Sequence, residues 1–180
     1  MKRIYVLAAI LLWGALPSTP VVAATATPVP QMKADWSPWA FEVGTWLCHG
    51  TVTNRVGDRV ETDVNSMELD NHWMVTKFDS PPFDPQRTKH SIGVGYLTWD
   101  SDNHVWYSWG ADNFGAALGY STSPGWNGNT LTMTAYTMKN EKWTTMGRTV
   151  TTKASDTVLR DVSYDENGKV TFRDVCKKQM

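Results

Sequence analysis

Cys48 and Cys176 are the only two cysteines of the chain, and they stand at the two ends of a long series of short alternating segments. If the two thiols meet, the first and last of those segments must be neighbours. From Gly44 onward the chain alternates with period two and is rich in Thr, Val, Trp and Tyr, with turn residues about every 8 to 14 positions. Ten strands are expected, over residues 45–54, 59–69, 73–79, 91–99, 105–111, 116–122, 130–138, 143–152, 157–164 and 169–177. The punctuation between them is Gly57-Asp58, Asp70-Asn71, Asp102-Asn103, Asn113 with Gly115, Asn127-Gly128-Asn129 and Asn167-Gly168, all residues that tolerate turn or left-handed conformations. Connections this short require antiparallel pairing, since parallel strands need crossovers of about a dozen residues or more. A meander of this length removes its edges by closing. The expected fold is therefore all-β, a closed antiparallel up-and-down barrel of about ten strands. Closure puts the cysteines side by side, and a bridge over so long a loop is worth ~2–4 kcal/mol. The alternative is that both thiols stay free.

The start of the chain reads as an export signal. Lys2 and Arg3 precede an apolar run over 4–16, then Pro17 and the small-residue stretch Val21-Val22-Ala23-Ala24-Thr25-Ala26. The run is too short to cross a bilayer as a helix, which needs about 20 residues. Residues 1–24 are assigned as signal peptide, with cleavage after Ala23, Ala24 or Ala26, and the chain is expected to be secreted or periplasmic, where a disulfide persists. Removal of the signal takes two of 17 basic residues and leaves 18 acidic ones, a charge of about −3. That balance offers no basic face for nucleic acid. Residues 25–36 read as a flexible leader and 37–180 as one domain. Ser37-Pro38 resembles an N-cap followed by proline at the first helical position, so a short helix over 37–43 is expected, placed to plug one barrel end. The connection over 80–89, with Pro81, Pro82 and Pro85, is the one long loop, either a portal over a barrel mouth or a plain surface loop.

Several stretches resemble a known family. Gly44-Thr45-Trp46 looks like the glycine-x-tryptophan signature that opens the first strand of lipocalins. Gly95-Tyr96 through Asp100, Trp106 to Asn113, and Trp126-Asn127-Gly128-Asn129-Thr130-Leu131 are similar to the strand and turn pattern of a family of secreted bacterial lipocalin-like proteins of unknown function. The resemblance implies a calycin-type barrel with Trp46 as a structural residue packed across the closed end. It also implies a late basic residue covering that ring, for which Arg173 and Lys177 are the candidates.

Alternation puts Ile92, Val94 and Tyr96 on one face, and Val105, Tyr107 and Trp109 on one face. If those faces point inward, Tyr96, Tyr107 and Trp109 line a small-molecule cavity together with Trp73 and Met133; the other reading is a solid core. Arg148 and Arg160 share parity with apolar neighbours and are placed inside too. There they either pair with Glu68 or hold a ligand carboxylate. The expected function is binding of a small hydrophobic or amphipathic molecule. Two alternatives remain: an enzyme using Tyr96 or Tyr107 with a Glu68 of raised pKa, or a filled barrel whose outer Trp99, Trp106, Trp126 and Trp143 bind a protein partner. No cofactor, metal site or catalytic constellation is expected. His49, His72, His90 and His104 are scattered, no histidine follows His104 to act as a haem ligand, and 100–104 reads as a hairpin turn rather than a calcium loop.

Overall fold

A computed structural model describes residues 34–85, 88–115 and 119–180. The signal peptide, its cleavage position and most of the leader lie outside the described residues. The strands are β1 (Gly44–Val52), β2 (Asp58–Glu68), β3 (Trp73–Ser80), β4 (Ser91–Asp100), β5 (Val105–Asp112), β6 (Tyr120–Ser123), β7 (Trp126–Asn127), β8 (Thr130–Lys139), β9 (Lys142–Ser155), β10 (Val158–Asp165) and β11 (Val170–Lys178). All pairings are antiparallel, and all but two run between consecutive strands. β6 passes directly to β8, the two-residue β7 folds onto the start of β8, and β1 pairs with β11. Ten strands thus close into a barrel. Cys48 lies opposite Cys176 in the β1–β11 register, and the two form a disulfide spanning 128 positions. Asp70, Asn71 and Gly128 adopt positive φ at turns the sequence marks, and so does Asn54, expected as the end of the first strand, in the turn after β1.

The expected helical plug is not formed. Residues Ser37–Glu42 make a single 3-10 turn, and no longer helix occurs among the described residues. Ser37 does not cap it; its own N–H donates to Asp35 Oδ1 at 3.0 Å. Six residues offer too few backbone bonds to sustain an α-helix. What holds the turn is packing. Trp39 is 3% exposed, with its ring centroid 4.9 Å from that of Trp106 and 6.0 Å from that of Trp126. Ala34 and Trp36, read as leader, pack on the same cluster with Met74, Leu97 and Leu131.

Direct cross-strand partners share a face, so the register sorts inside from outside. One row runs Lys178, Trp46, Asp63, Phe78, Gly93, Asp112. Trp46 is 2% exposed, which makes this row interior. Around the wall the interior positions of β4 to β6 are small: Gly93, Gly95, Gly110, Ser108 and Ser121. A Cβ on Gly93 would run into the Ala111 carbonyl oxygen and the Phe78 ring. The lumen is narrow there, and Tyr96, Tyr107 and Trp109 stand outside, while Trp99 and Trp106, further along the same inward faces, join the core.

Candidate functional site

The outward placement overturns most of the expected cavity lining. Tyr96, Tyr107 and Trp109 alternate with the interior Gly95, Leu97, Ser108 and Gly110 and so face out; Trp109 is 38% exposed. Outside the barrel the rings occupy one another. Tyr96 stacks on Trp109 with centroids 4.7 Å apart and meets Trp73 edge-on at 6.2 Å. Tyr107, Tyr120 and Tyr136 form a second stack, at 5.2 and 5.0 Å. Arg148 also faces out and lies over the Tyr164 ring at 4.6 Å, while Arg160 is exposed on the outer side of β10. Glu68 is exposed, alternating with the interior Met67, so it neither pairs with those arginines nor meets a tyrosine in a cavity. Parity misled because apolar was equated with inward. Of the expected lining only Met133 points inward, packed on the Trp39 cluster. Trp106 is buried and Trp99 and Trp126 are part of the core, leaving Trp143 exposed among the four tryptophans expected outside.

Charge is concentrated where apolar side chains were expected. The interior face of β2 reads Arg59, Glu61, Asp63, Asn65 and Met67, and Asp161 and Asp174 face each other across β10 and β11. Glu42, at the end of the 3-10 turn, adds a further carboxylate. Burial pushes Glu42 up to about 8, aided by the negative charge of Asp161 and opposed by Trp126 and Lys153. Burial likewise raises Asp63 to about 7, with Glu61 and Asp161 adding to the rise and Arg59 opposing it. Asp161 and Asp174 are both raised by desolvation and hydrogen-bond to each other, so the pair retains a proton at neutral pH. Glu61 is raised by burial despite its ion pair with Arg59. Asp63 Oδ2 sits 3.6 Å from Cys48 Sγ. A bridged sulfur has no proton, so only a protonated Asp63 could donate there.

Two cavities use these residues. The smaller, of about 170 Å³, is bounded by Glu42, Asp63, Asn65, Thr151 and Asp161, with apolar wall from Trp46, Leu131 and Leu159. Its geometry is fixed through the Glu42 carbonyl, which accepts from Trp46 Nε1 at 2.7 Å and Asn65 Nδ2 at 3.1 Å. Beside it Lys178 Nζ lies 5.6 Å from the Trp46 ring centroid and donates to Phe41 O at 2.7 Å. The cation over Trp46 is thus Lys178 rather than Arg173 or Lys177, which alternate with the interior residues of β11 and are exposed.

The second cavity, of about 350 Å³, lies at the other end, where Phe78, Phe83 and Phe172 meet Arg55, Arg59 and Lys89. Arg59 lies over the Phe172 ring at 5.2 Å. The long connection after β3 borders this opening and is tied down on one side: Asp84 accepts from Val56 N at 3.0 Å and pairs with Arg55 at 3.7 Å. Ser80, at its start, donates to Val60 O at 2.8 Å. The charged parity of β2 and β11 was the signal available for both sites. Cys48 and Cys176 must face each other, which places Asp174 and Phe172 in phase with Cys176.

One trio of metal-type ligand atoms converges among the described residues, Cys48, Asp174 and Cys176 within 4.8 Å. Both sulfurs are committed to the bridge, so this trio does not supply the thiolates a metal would need.

No protein-family model matches the chain, and no curated protein matches it. Among solved structures, a protein of unknown function of the DUF3598 family from Nostoc punctiforme is similar at 10% identity, covering 83% of this chain and all of that one, with a TM-score of 0.22. A score so low carries no argument about fold or function.

Proposed function

We propose that this is an exported, lipocalin-like barrel that binds a small amphipathic anion at the mouth bounded by Phe78, Phe83 and Phe172. The observation that carries the reading is the composition of that opening. Three phenyl rings and three cations, Arg55, Arg59 and Lys89, surround about 350 Å³ with Asp112 on the wall; Arg55 is paired with Asp84 and Arg59 with Glu61, so Lys89 is the cation that leads at the opening. Apolar walls with a few polar groups, at a volume of about 300 Å³ or more, are what a small-molecule site requires. The rings would take an alkyl or aryl body and the cations its acidic head. The proposal keeps the ligand class expected from the sequence and moves the site away from Trp73, Tyr96, Tyr107, Trp109, Arg148 and Arg160. A disulfide-bridged barrel suits an oxidising compartment, and no helix among the described residues is long and apolar enough to cross a membrane.

Displacement of the dye ANS tests this, using dodecanoate against dodecyltrimethylammonium as charge-reversed probes. Dodecanoate should displace the dye and the quaternary cation should not. Lys89→Glu should weaken dodecanoate by about tenfold, equivalent to ~1.4 kcal/mol, while Trp109→Ala on the outer wall leaves it unchanged. Equal binding of both probes, or loss with Trp109→Ala and not with Lys89→Glu, would sink the proposal.

A further inference from the structure

The smaller chamber shares no lining residue with the mouth. Three of its wall oxygens, Asp63 Oδ1, Asn65 Oδ1 and Asp161 Oδ1, are wholly shielded from solvent and have no hydrogen-bond donor. For Asn65 the orientation is not arbitrary. Its Nδ2 is spent on the Glu42 carbonyl at 3.1 Å, which leaves the amide oxygen as a stranded acceptor. A buried acceptor without a donor costs about 1–3 kcal/mol, and three of them bound one small space. Its walls carry the carboxylates of Glu42, Asp63 and Asp161 and no lysine or arginine. A protonated Asp63 or Asp161 could donate one bond apiece, yet the carbonyl oxygen of Asn65 would still need a donor from elsewhere.

A partner that supplies donors and also answers three carboxylates is a cation, and the mixed wall of acids and apolar side chains points to its kind. Direct coordination of one metal ion by three carboxylates, at about 2.3–2.6 Å each, would bring their oxygens within about 5 Å of one another. Glu42, Asp63 and Asp161 form no such trio. An organic ammonium brings three N–H donors on an apolar stem, so it uses the polar and the apolar parts of the wall together. The chamber holds about 170 Å³, roughly five waters at ~30 Å³ each, room for an ammonium head with a short alkyl stem. Leu131, Leu159 and the Trp46 ring supply the apolar wall for that stem.

We infer that the chamber is a binding site for a small primary ammonium compound, its N–H groups held by Asp63, Asn65 and Asp161 and its stem against Leu131 and Leu159. Other charges face these groups from neighbouring elements. Lys153 of β9 acts on Glu42, Arg59 of β2 on Asp63 and Asp174, and Asp174 of β11 is paired with Asp161. Binding favours the ionised carboxylates and should release protons. Affinity should rise from about pH 6 to about pH 8.5, below the ammonium's own loss of its proton near pH 10.

Isothermal titration of the full mature protein tests this, with n-butylammonium and putrescine as probes, n-butanol as the uncharged control and calcium chloride as the metal control. Binding of the amines at least tenfold tighter at about pH 8.5 than at about pH 6 is expected, with protons released in buffers of differing ionisation heat. Asp161→Asn and Asp63→Asn should each weaken it tenfold or more, and circular dichroism confirms that each variant is folded. The inference is overturned if the amines give no saturable heat at about 10 mM, if n-butanol binds as well, if calcium displaces them, or if both folded variants bind like the parent. Dodecanoate displacement at the mouth is read separately, so either site can fail without the other.

Discussion

Raising the pH from about 5 to about 7.5 should destabilise the barrel, because it charges carboxylates that the fold has buried. Asp63 is held up to about 7 and Glu42 to about 8, whereas the unfolded chain titrates them at 3.8 and 4.5. Both folded-state values are raised, so between them and the unfolded values the folded chain holds protons that the unfolded chain has released. The contribution of these two groups is then greatest below about pH 4, falls as pH rises, and levels off above about pH 8. Each retained proton is worth ~1.4 kcal/mol per pH unit. One proton over two units gives about 3 kcal/mol and two give about 5, with the Asp161–Asp174 pair adding in the same direction. Water entry will relax part of this, so a loss of about 3–5 kcal/mol is the working figure, against a typical total of about 5–15. At ~2–4 °C per kcal/mol for a chain of this size, Tm should drop by about 10 °C. Asp35, Asp100 and Asp156 are shifted the other way by hydrogen bonds to Ser37, Asn103 and Lys153. Their contributions disappear only below about pH 4, outside the window. The assay is thermal unfolding by circular dichroism at matched ionic strength, with urea titrations at each pH to give the slope. Asp63→Asn should reduce that slope by about one proton. A Tm equal or higher at pH 7.5, or an unaltered slope in Asp63→Asn, would refute the reasoning that these acids are buried and protonated.

Two further outcomes follow from the packing. Replacing both Cys48 and Cys176 with alanine removes a bridge across 128 positions and should cost about 2–5 kcal/mol; urea midpoints that match the oxidised parent would show that the bridge constrains nothing. Trp39→Ala should cost about 3–5 kcal/mol, since the ring is 3% exposed between Trp106 and Trp126. A calorimetric loss below about 1 kcal/mol would mean that the 3-10 turn is not anchored by that side chain.

The strands, their antiparallel order and the disulfide were legible because each has a local signature: alternation marks a strand, Asn and Gly mark its turns, and two cysteines at the ends of a meander test its closure. The inside of the barrel was not legible from the same alternation. Period two sorts a strand into two faces without saying which is buried, and the usual tie-breaker, that the more apolar face turns inward, fails where the lumen is narrow and charged. Over the middle of β4 and β5 the faces are Gly93, Gly95, Gly110 and Ser108 against Tyr96, Tyr107 and Trp109, and steric fit puts the small set inside, with Leu97, Trp99 and Trp106 of the same face filling the Trp39 end. In β2 the tie-breaker fails in the other direction, turning Val60 and Val64 out and Glu61 and Asp63 in. The cysteines carry the information that parity lacks. They are bonded across the β1–β11 pair, on the same side as Trp46, and propagating that side through the register reaches Asp63, Phe78 and Gly93 without any appeal to hydropathy. The acids that define the smaller chamber are thus the residues a hydropathy argument discards. Their inward placement leaves buried oxygens without donors. A fold maintained for packing alone would be better served by apolar side chains at those positions, and that is the physical reason to look for a ligand there.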